Sequence, residues 1–145
     1  MLCAGDIVVV TEDCKFALTE TTLGIPPAQI APFVSQRIGL AKARRIMLTA
    51  ARFTGKEAHE MGLADFVAKD ADDLKVIETD IKKGVLKCAP GANAVTKEIV
   101  LATRHLTRKE MVEFAAKGFA ERMLSDEGKE GISSFIEKRK PKWSK

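Results

Sequence analysis

Apolar positions along this chain change their spacing near Pro27, from short continuous runs to the three-and-four recurrence of helices. Asp6-Ile-Val-Val-Val-Thr11 is a β-branched run of the kind buried in a sheet, so residues 6–11 are predicted as a strand and 16–18 as a second, shorter one. Gly24, Pro26 and Pro27 then break the pattern. Gln29 to Ile38 carries a brief helical pattern in which Pro32 suits the first turn better than the interior, and Gly39 punctuates it. Leu40, Ala43, Met47 and Leu48 fall at i, i+3, i+7 and i+8, with Lys42, Arg44 and Arg45 mainly off that stripe; this spacing predicts an amphipathic helix.

Thr54 followed by Glu57 has the form of a capping box, opening a short helix that contains His59 and ends near Gly62. Ala64 to Ala68 reads as a last strand. Asp72 to Leu86 alternates charged and apolar residues at helical spacing, and Pro90-Gly91 separates it from a helix over Asn93 to Thr103. Met111, Phe114, Ala115, Gly118 and Phe119 again recur at helical spacing, a stripe expected in a core or an interface. Ser125-Asp126 offers a cap for a final helix through Glu137. The layout is α/β: a small sheet portion over 1–89 and a helical region over 90–145, with the boundary at the Pro90-Gly91 turn.

With 145 residues, 46% hydrophobic and 30% charged, the chain is long enough for a modest core, and no stretch approaches a transmembrane run. No membrane partner is expected. The start, Met1-Leu-Cys-Ala-Gly-Asp6, lacks a basic region and soon carries an acid, unlike a secretory signal, so the expected compartment is the cytoplasm. Cys3, Cys14 and Cys88 are odd in number and widely spaced, without a CxxC pair, which predicts reduced thiols and no metal. The formal charge of +4 comes mainly from Lys138, Arg139, Lys140, Lys142 and Lys145. Such a cluster can bind phosphate backbones, but only Trp143 stands near it and no stacking series accompanies it, so a solvated tail is expected and nucleic acid is not. His59 and His105 have no Ser, Cys or acidic partner at a spacing that marks a triad or a metal site, and both read as structural or surface groups.

Glu20 stands between a strand-like stretch and the Pro-rich turn. A Glu in such a place is ordinarily a solvated or capping side chain; it is also a candidate acid or base. The residues around it decide between the two. Asp6-Ile-Val-Val-Val-Thr-Glu-Asp-Cys-Lys-Phe16 and the following Phe16 through Gly24 resemble the "D-I-x-x-A-x-x-x-A-x-F" and "F-x-x-x-E-x-x-x-G" stretches of the crotonase (enoyl-CoA hydratase/isomerase) superfamily. Leu48-Thr-Ala-Ala-Arg-Phe-Thr-Gly-Lys-Glu-Ala58 with Met61-Gly62-Leu63 is similar to its "L-T-G-x-x-x-x-A-x-E-A-x-x-x-G-L-V". Lys129-Glu-Gly-Ile-Ser-Ser-Phe-Ile-Glu-Lys-Arg-Lys-Pro-Lys-Trp143 is similar to "x-E-G-x-x-A-F-x-E-K-R-x-P-x-F".

The resemblance implies the C-terminal part of a fold of stacked ββα turns, followed by helices that cover the active site and make trimer contacts. It implies that an N-terminal half before Met1 holds most of the β-core, the adenine-binding segment and both backbone N–H groups of an oxyanion hole. The position just before Met1 would be the family's other catalytic carboxylate. Glu20 would be the catalytic proton-transfer residue, with Leu23, Gly24, Pro27 and Ala28 in the substrate pocket. Phe135 and Lys138 would contact the coenzyme A of a neighbouring subunit. The implied substrate is an acyl-CoA thioester, with no cofactor besides the CoA that the substrate itself carries, and the implied assembly is a homotrimer or a dimer of trimers.

One departure points to a subgroup. Where typical hydratases have "G-x-I-P-G-A-G-G-T", this chain has Gly24-Ile-Pro-Pro-Ala-Gln-Ile-Ala-Pro-Phe-Val34. Together with Ala43-Arg-Arg-Ile-Met-Leu-Thr-Ala50 it resembles bacterial methylglutaconyl-CoA and isohexenylglutaconyl-CoA hydratases. The expected reaction is addition of water across the 2,3 double bond of an enoyl-CoA; enoyl-CoA isomerisation, or a noncatalytic piece acting only in oligomerisation or binding, are the alternatives.

Overall fold

In the computed structural model, residues 2–144 are described; Met1 and Lys145, the latter counted in the basic tail, lie outside the described residues. The chain divides into two units, Met1–Asp80 and Ile81–Lys145. The division falls inside helix Ala71–Leu86, upstream of the Pro90-Gly91 turn that the sequence marks.

In the first unit, β1 (Val9–Thr11) runs parallel to β4 (Phe66–Ala68), with Val10 opposite Val67. A parallel pair cannot be closed by a hairpin. Its crossover contains β2 (Lys15–Ala17), α1 (Ala31–Leu48), β3 (Arg52–Thr54) and α2 (Gly55–Met61). β2 and β3 pair antiparallel, with Phe16 opposite Phe53 and their rings stacked at 5.4 Å. The strands are shorter than their apolar runs. Pairing starts only at Val9 because the Val8 N–H donates instead to the Asp65 carboxylate at 2.7 Å.

The core joins Val8 and Val10 to Leu18, Val34, Ile38, Ala43, Ile46, Phe53 and Ala58. Pro32 sits in the first turn of α1, as expected, and Gly39 interrupts the helix with φ 78° and ψ 162°, a conformation that suits glycine alone. The stripe expected after that interruption is realised only in its middle. Ala43 and Met47 are buried together with Ile46, whereas Leu40 and Leu48 are 71% and 75% exposed. The capping box of α2 forms in full: the Thr54 hydroxyl accepts the Glu57 N–H, and the Glu57 carboxylate accepts the Thr54 N–H. Gly62 ends the helix at φ 84°, and the Leu63 N–H reaches back to the Ala58 carbonyl.

Helix α3 is Ala71–Leu86, followed in the second unit by α4 (Pro90–Ala102), α5 (Arg108–Leu124) and α6 (Asp126–Ile136). Pro90 opens α4 rather than separating it, because a first-turn residue needs no N–H donor. The Gly91 N–H, one of the donors left over at that helix start, is taken by the Glu127 carboxylate at 2.9 Å. Gly118 lets α5 approach α4: a Cβ there would stand 2.9 Å from Val95 Cγ1. Thr107 with Glu110, and Ser125, cap α5 and α6. On α5, Met111, Ala115 and Gly118 are partly covered while Phe114 and Phe119 are exposed. Among the described residues no helix is long and apolar enough to cross a membrane.

Candidate active site

Glu20 opens a 3₁₀ turn, Glu20–Leu23, directly after the β2–β3 ladder. Three contacts with the rest of the first unit and within the turn hold it there. The Leu18 N–H donates to the Ala51 carbonyl at 3.1 Å, the Thr21 hydroxyl donates to the Met47 carbonyl at 3.1 Å, and the Thr22 hydroxyl donates to the Thr19 carbonyl at 2.7 Å. Gly24, at φ 75°, closes the turn: its N–H meets the Thr21 carbonyl and the Ile25 N–H meets the Glu20 carbonyl. Pro26 and Pro27 have no N–H to continue it. The Pro27 carbonyl instead accepts the N–H groups of Ile30 and Ala31, starting α1.

The side chain of Glu20 is half-buried, and its Oε2 is closed off without a hydrogen-bond partner among protein atoms. Arg122 Nε in the second unit is the other such atom among the described residues. An unpartnered buried polar atom costs on the order of 1–3 kcal/mol, so folding alone gives no reason to place one there. A carboxyl group with one oxygen unclaimed by the protein can donate a proton when neutral and accept one when ionised.

The remaining predicted pocket residues lie on the same stretch. Leu23, Gly24 and Ala28 are exposed and Pro27 is half-buried. None of the four lines the cavity of about 470 Å³ in this unit, whose walls include Leu2, Cys3, Phe16, Leu18, Ile30 and Phe33. Burial pushes the Cys3 thiol up, with Arg37 opposing, which keeps it a neutral, weak nucleophile. The three cysteines are free thiols.

Arg37, bonded to the carbonyl of the cavity-lining Leu63, carries no signal in the sequence beyond a charge in a helical segment. Its side chain, 13% exposed, donates from Nε to the Leu63 carbonyl at 2.6 Å, from Nη1 to the Gly5 carbonyl at 3.1 Å and from Nη2 to Asp65 Oδ2 at 2.5 Å. One guanidinium thereby ties the segment before β1 to α1 and to the turn before β4.

Phe135 and Lys138 belong to the second unit, at the end of α6. Phe135 is 85% exposed. Lys138 has φ 55°, and around it the Lys138 N–H donates to the Phe135 carbonyl and the Arg139 N–H to the Ser134 carbonyl. Arg139 grips Glu130 with two parallel hydrogen bonds of 2.6 and 3.0 Å and reaches Glu137 at 2.6 Å. The Lys142 N–H adds a third donor to Glu130, and Trp143 Nε1 donates to the Lys87 carbonyl. The hydrogen bonds from Arg139, aided by that of Lys142, hold the Glu130 carboxyl down at about 2. His59 Nδ1 lies 3.2 Å from the Ala64 carbonyl, and His105 sits between α4 and α5. Among the described residues no three His, Cys, Asp or Glu side chains are placed to hold a metal ion.

A family model described as enoyl-CoA hydratase/isomerase matches residues 1–145. The chain is 30% identical to a peroxisomal Delta(3,5)-Delta(2,4)-dienoyl-CoA isomerase of Arabidopsis thaliana, an alignment covering 100% of this chain and 52% of that protein. It is 30% identical to a Bacillus subtilis protein named probable enoyl-CoA hydratase, over 97% of this chain and 55% of the relative. The solved structure of Pseudomonas aeruginosa AtuE superposes with a TM-score of 0.96 at 46% identity, covering 99% of this chain and 56% of AtuE. The chain thus spans about half the length of the proteins it matches.

Proposed function

The chain belongs to the enoyl-CoA hydratase/isomerase family and has its crotonase α/β fold, and we propose that it contributes Glu20 to the hydration of a 2-enoyl-CoA. The unclaimed Oε2 of Glu20 is the observation that carries this reading. In the neutral form Glu20 delivers a proton to Cα of the thioester; as a carboxylate it draws a proton from the water that adds at Cβ. Electron density that moves onto the thioester oxygen during either step requires N–H donors aimed at that oxygen.

The substrate we favour is a branched glutaconyl-CoA. Ala28 and Pro32 take the place of the glycine-rich loop of straight-chain hydratases, and Pro32 occupies the first turn of α1. A backbone with side chains and a proline there has a different shape from one built on glycines. The same proposal has Phe135 and Lys138 meeting the CoA of a neighbouring copy in a trimer or a dimer of trimers, in the cytoplasm. Exposed Phe119, Leu124, Phe135 and Ile136 on α5 and α6 supply apolar surface for such an assembly.

Isomerisation is the second reading, favoured by the relative named as a dienoyl-CoA isomerase. There Glu20 would move a proton between carbons without adding water. Incubating the protein with a branched glutaconyl-CoA and with crotonyl-CoA in H₂¹⁸O separates the two: hydration incorporates ¹⁸O into the product, and isomerisation incorporates none. Glu20→Gln is expected to lower kcat by about 10²–10⁴-fold. Undiminished turnover by that variant refutes the assignment, and turnover by neither substrate favours a noncatalytic binding piece.

A further inference from the structure

Lys138 and Arg139 are adjacent cations in opposite circumstances. Arg139 is locked between Glu130 and Glu137, while the exposed Lys138 has no side-chain partner among the described residues. Lys138 also holds a left-handed backbone conformation that a residue with a Cβ rarely adopts. Something must hold it there. α6 ends with the Lys138 and Arg139 N–H groups folded back on Phe135 and Ser134, but that closure is normally made by glycine. The additional constraint comes from Glu130, one helical face below. Its side chain is 14% exposed, it takes both arms of the Arg139 guanidinium, and it also takes the Lys142 N–H. The stretch that follows Lys138 is thereby fastened at two points to one carboxylate. Trp143, packed beside Gly131 and bonded to the Lys87 carbonyl, fastens the end of the same tail.

We propose that Glu130 is a positioning residue for Lys138: by clamping Arg139 and the Lys142 amide it fixes the turn after α6 so that the Lys138 ammonium is aimed, unpaired, at a phosphoryl group of coenzyme A. This rests on the reading of Lys138 as a CoA contact. The geometry explains why the neighbouring arginine is unsuited to that task. Its donors are spent on two glutamates, and a phosphoryl group arriving there would compete with carboxylates already in place.

Two readouts on the 145-residue chain test the proposal, with Glu130→Gln and Arg139→Lys as independent ways of loosening the clamp. The first is tryptic cleavage after Lys138, mapped by mass spectrometry. Both variants should raise it about tenfold, the scale of losing one charge-assisted pair, while cleavage upstream of residue 137 is unchanged. The second is calorimetric CoA binding. Lys138→Ala should weaken it about tenfold, Glu130→Gln by a similar factor although Lys138 is retained, and the double variant no further than Lys138→Ala alone. Should Glu130→Gln fail to fold, Arg139→Lys keeps the charge and carries both readouts. Unchanged cleavage after Lys138, or a Glu130→Gln loss that adds in full to that of Lys138→Ala, overturns the positioning role. Faster cleavage with CoA binding indifferent to Lys138→Ala overturns the CoA reading of Lys138 instead.

Discussion

Gly55→Ala tests how the first unit supports Glu20. Gly55 is the first residue of α2 and is buried against β1. A Cβ built there lies 1.9 Å from the Thr11 carbonyl oxygen, 2.9 Å from its carbon and 3.2 Å from Val10 Cγ2. An ordinary carbon–oxygen contact needs about 3.2 Å or more, so helix and strand must separate by roughly 1.3 Å. The carbonyl has little freedom to give: it accepts the Cys14 N–H, and the Glu12 N–H just beyond it is bonded to Ala68. Forcing such a separation costs about 1–3 kcal/mol, and alanine's lower unfolded-state entropy returns about 0.4–1 kcal/mol, leaving a net loss of about 1–2 kcal/mol. Urea unfolding followed by circular dichroism measures it as a lower midpoint at unchanged slope. Gly84→Ala is the matched control. Gly84 lies in α3 with nothing within 4 Å of its would-be Cβ, so there the same substitution should stabilise by up to about 1 kcal/mol. Equal shifts for the two variants, or a Gly55→Ala chain as stable as its parent, would refute the steric reasoning. Gly55 also follows β3 directly, and β3 carries the Phe53–Phe16 pair and the ladder from which the Glu20 turn departs. Under the role proposed for Glu20, Gly55→Ala is therefore expected to lower enoyl-CoA turnover as well as stability.

Thr54→Ala removes the hydroxyl half of the α2 capping box, leaving the backbone N–H on the Glu57 carboxylate, and should cost about 1 kcal/mol in the same unfolding assay. Asp65→Asn breaks the pair with Arg37 at a site where Asp65 is still 41% exposed, so the loss should be only about 1 kcal/mol after allowance for solvent screening, read from thermal unfolding in low and high salt. Glu130 is held at about 2, below its ordinary 4.5, so its contribution to folding is fully present above about pH 4.5 and is lost as pH falls through about 2. A carboxyl-carbon NMR titration should find Glu130 still ionised at pH 3; a midpoint near 4.5 would contradict the clamp.

What the sequence disclosed about this molecule is what a few neighbouring residues decide among themselves. The Thr54–Glu57 box, the Ser125 cap and the glycine closures at Gly24 and Gly62 all act within four or five residues, so their signals survive in a linear reading. The stripe through Leu40, Ala43, Met47 and Leu48 kept only its middle, because Leu40 and Leu48 are the first and last residues of the helical segment that follows Gly39. Arg37 and Asp65 stand 28 residues apart, Gly91 and Glu127 stand 36 apart, and no periodicity relates either pair. Glu20 combines both situations. Its candidacy was legible from motifs on either side. Whether it has chemistry to perform depends on the burial of one oxygen, in a turn anchored at the Ala51 and Met47 carbonyls by Leu18 and Thr21. A motif can therefore nominate the carboxylate, but it takes the folded turn to bury that oxygen and leave it unclaimed, and a variant that loosens the turn's anchors at Ala51 and Met47 should silence Glu20 without touching it.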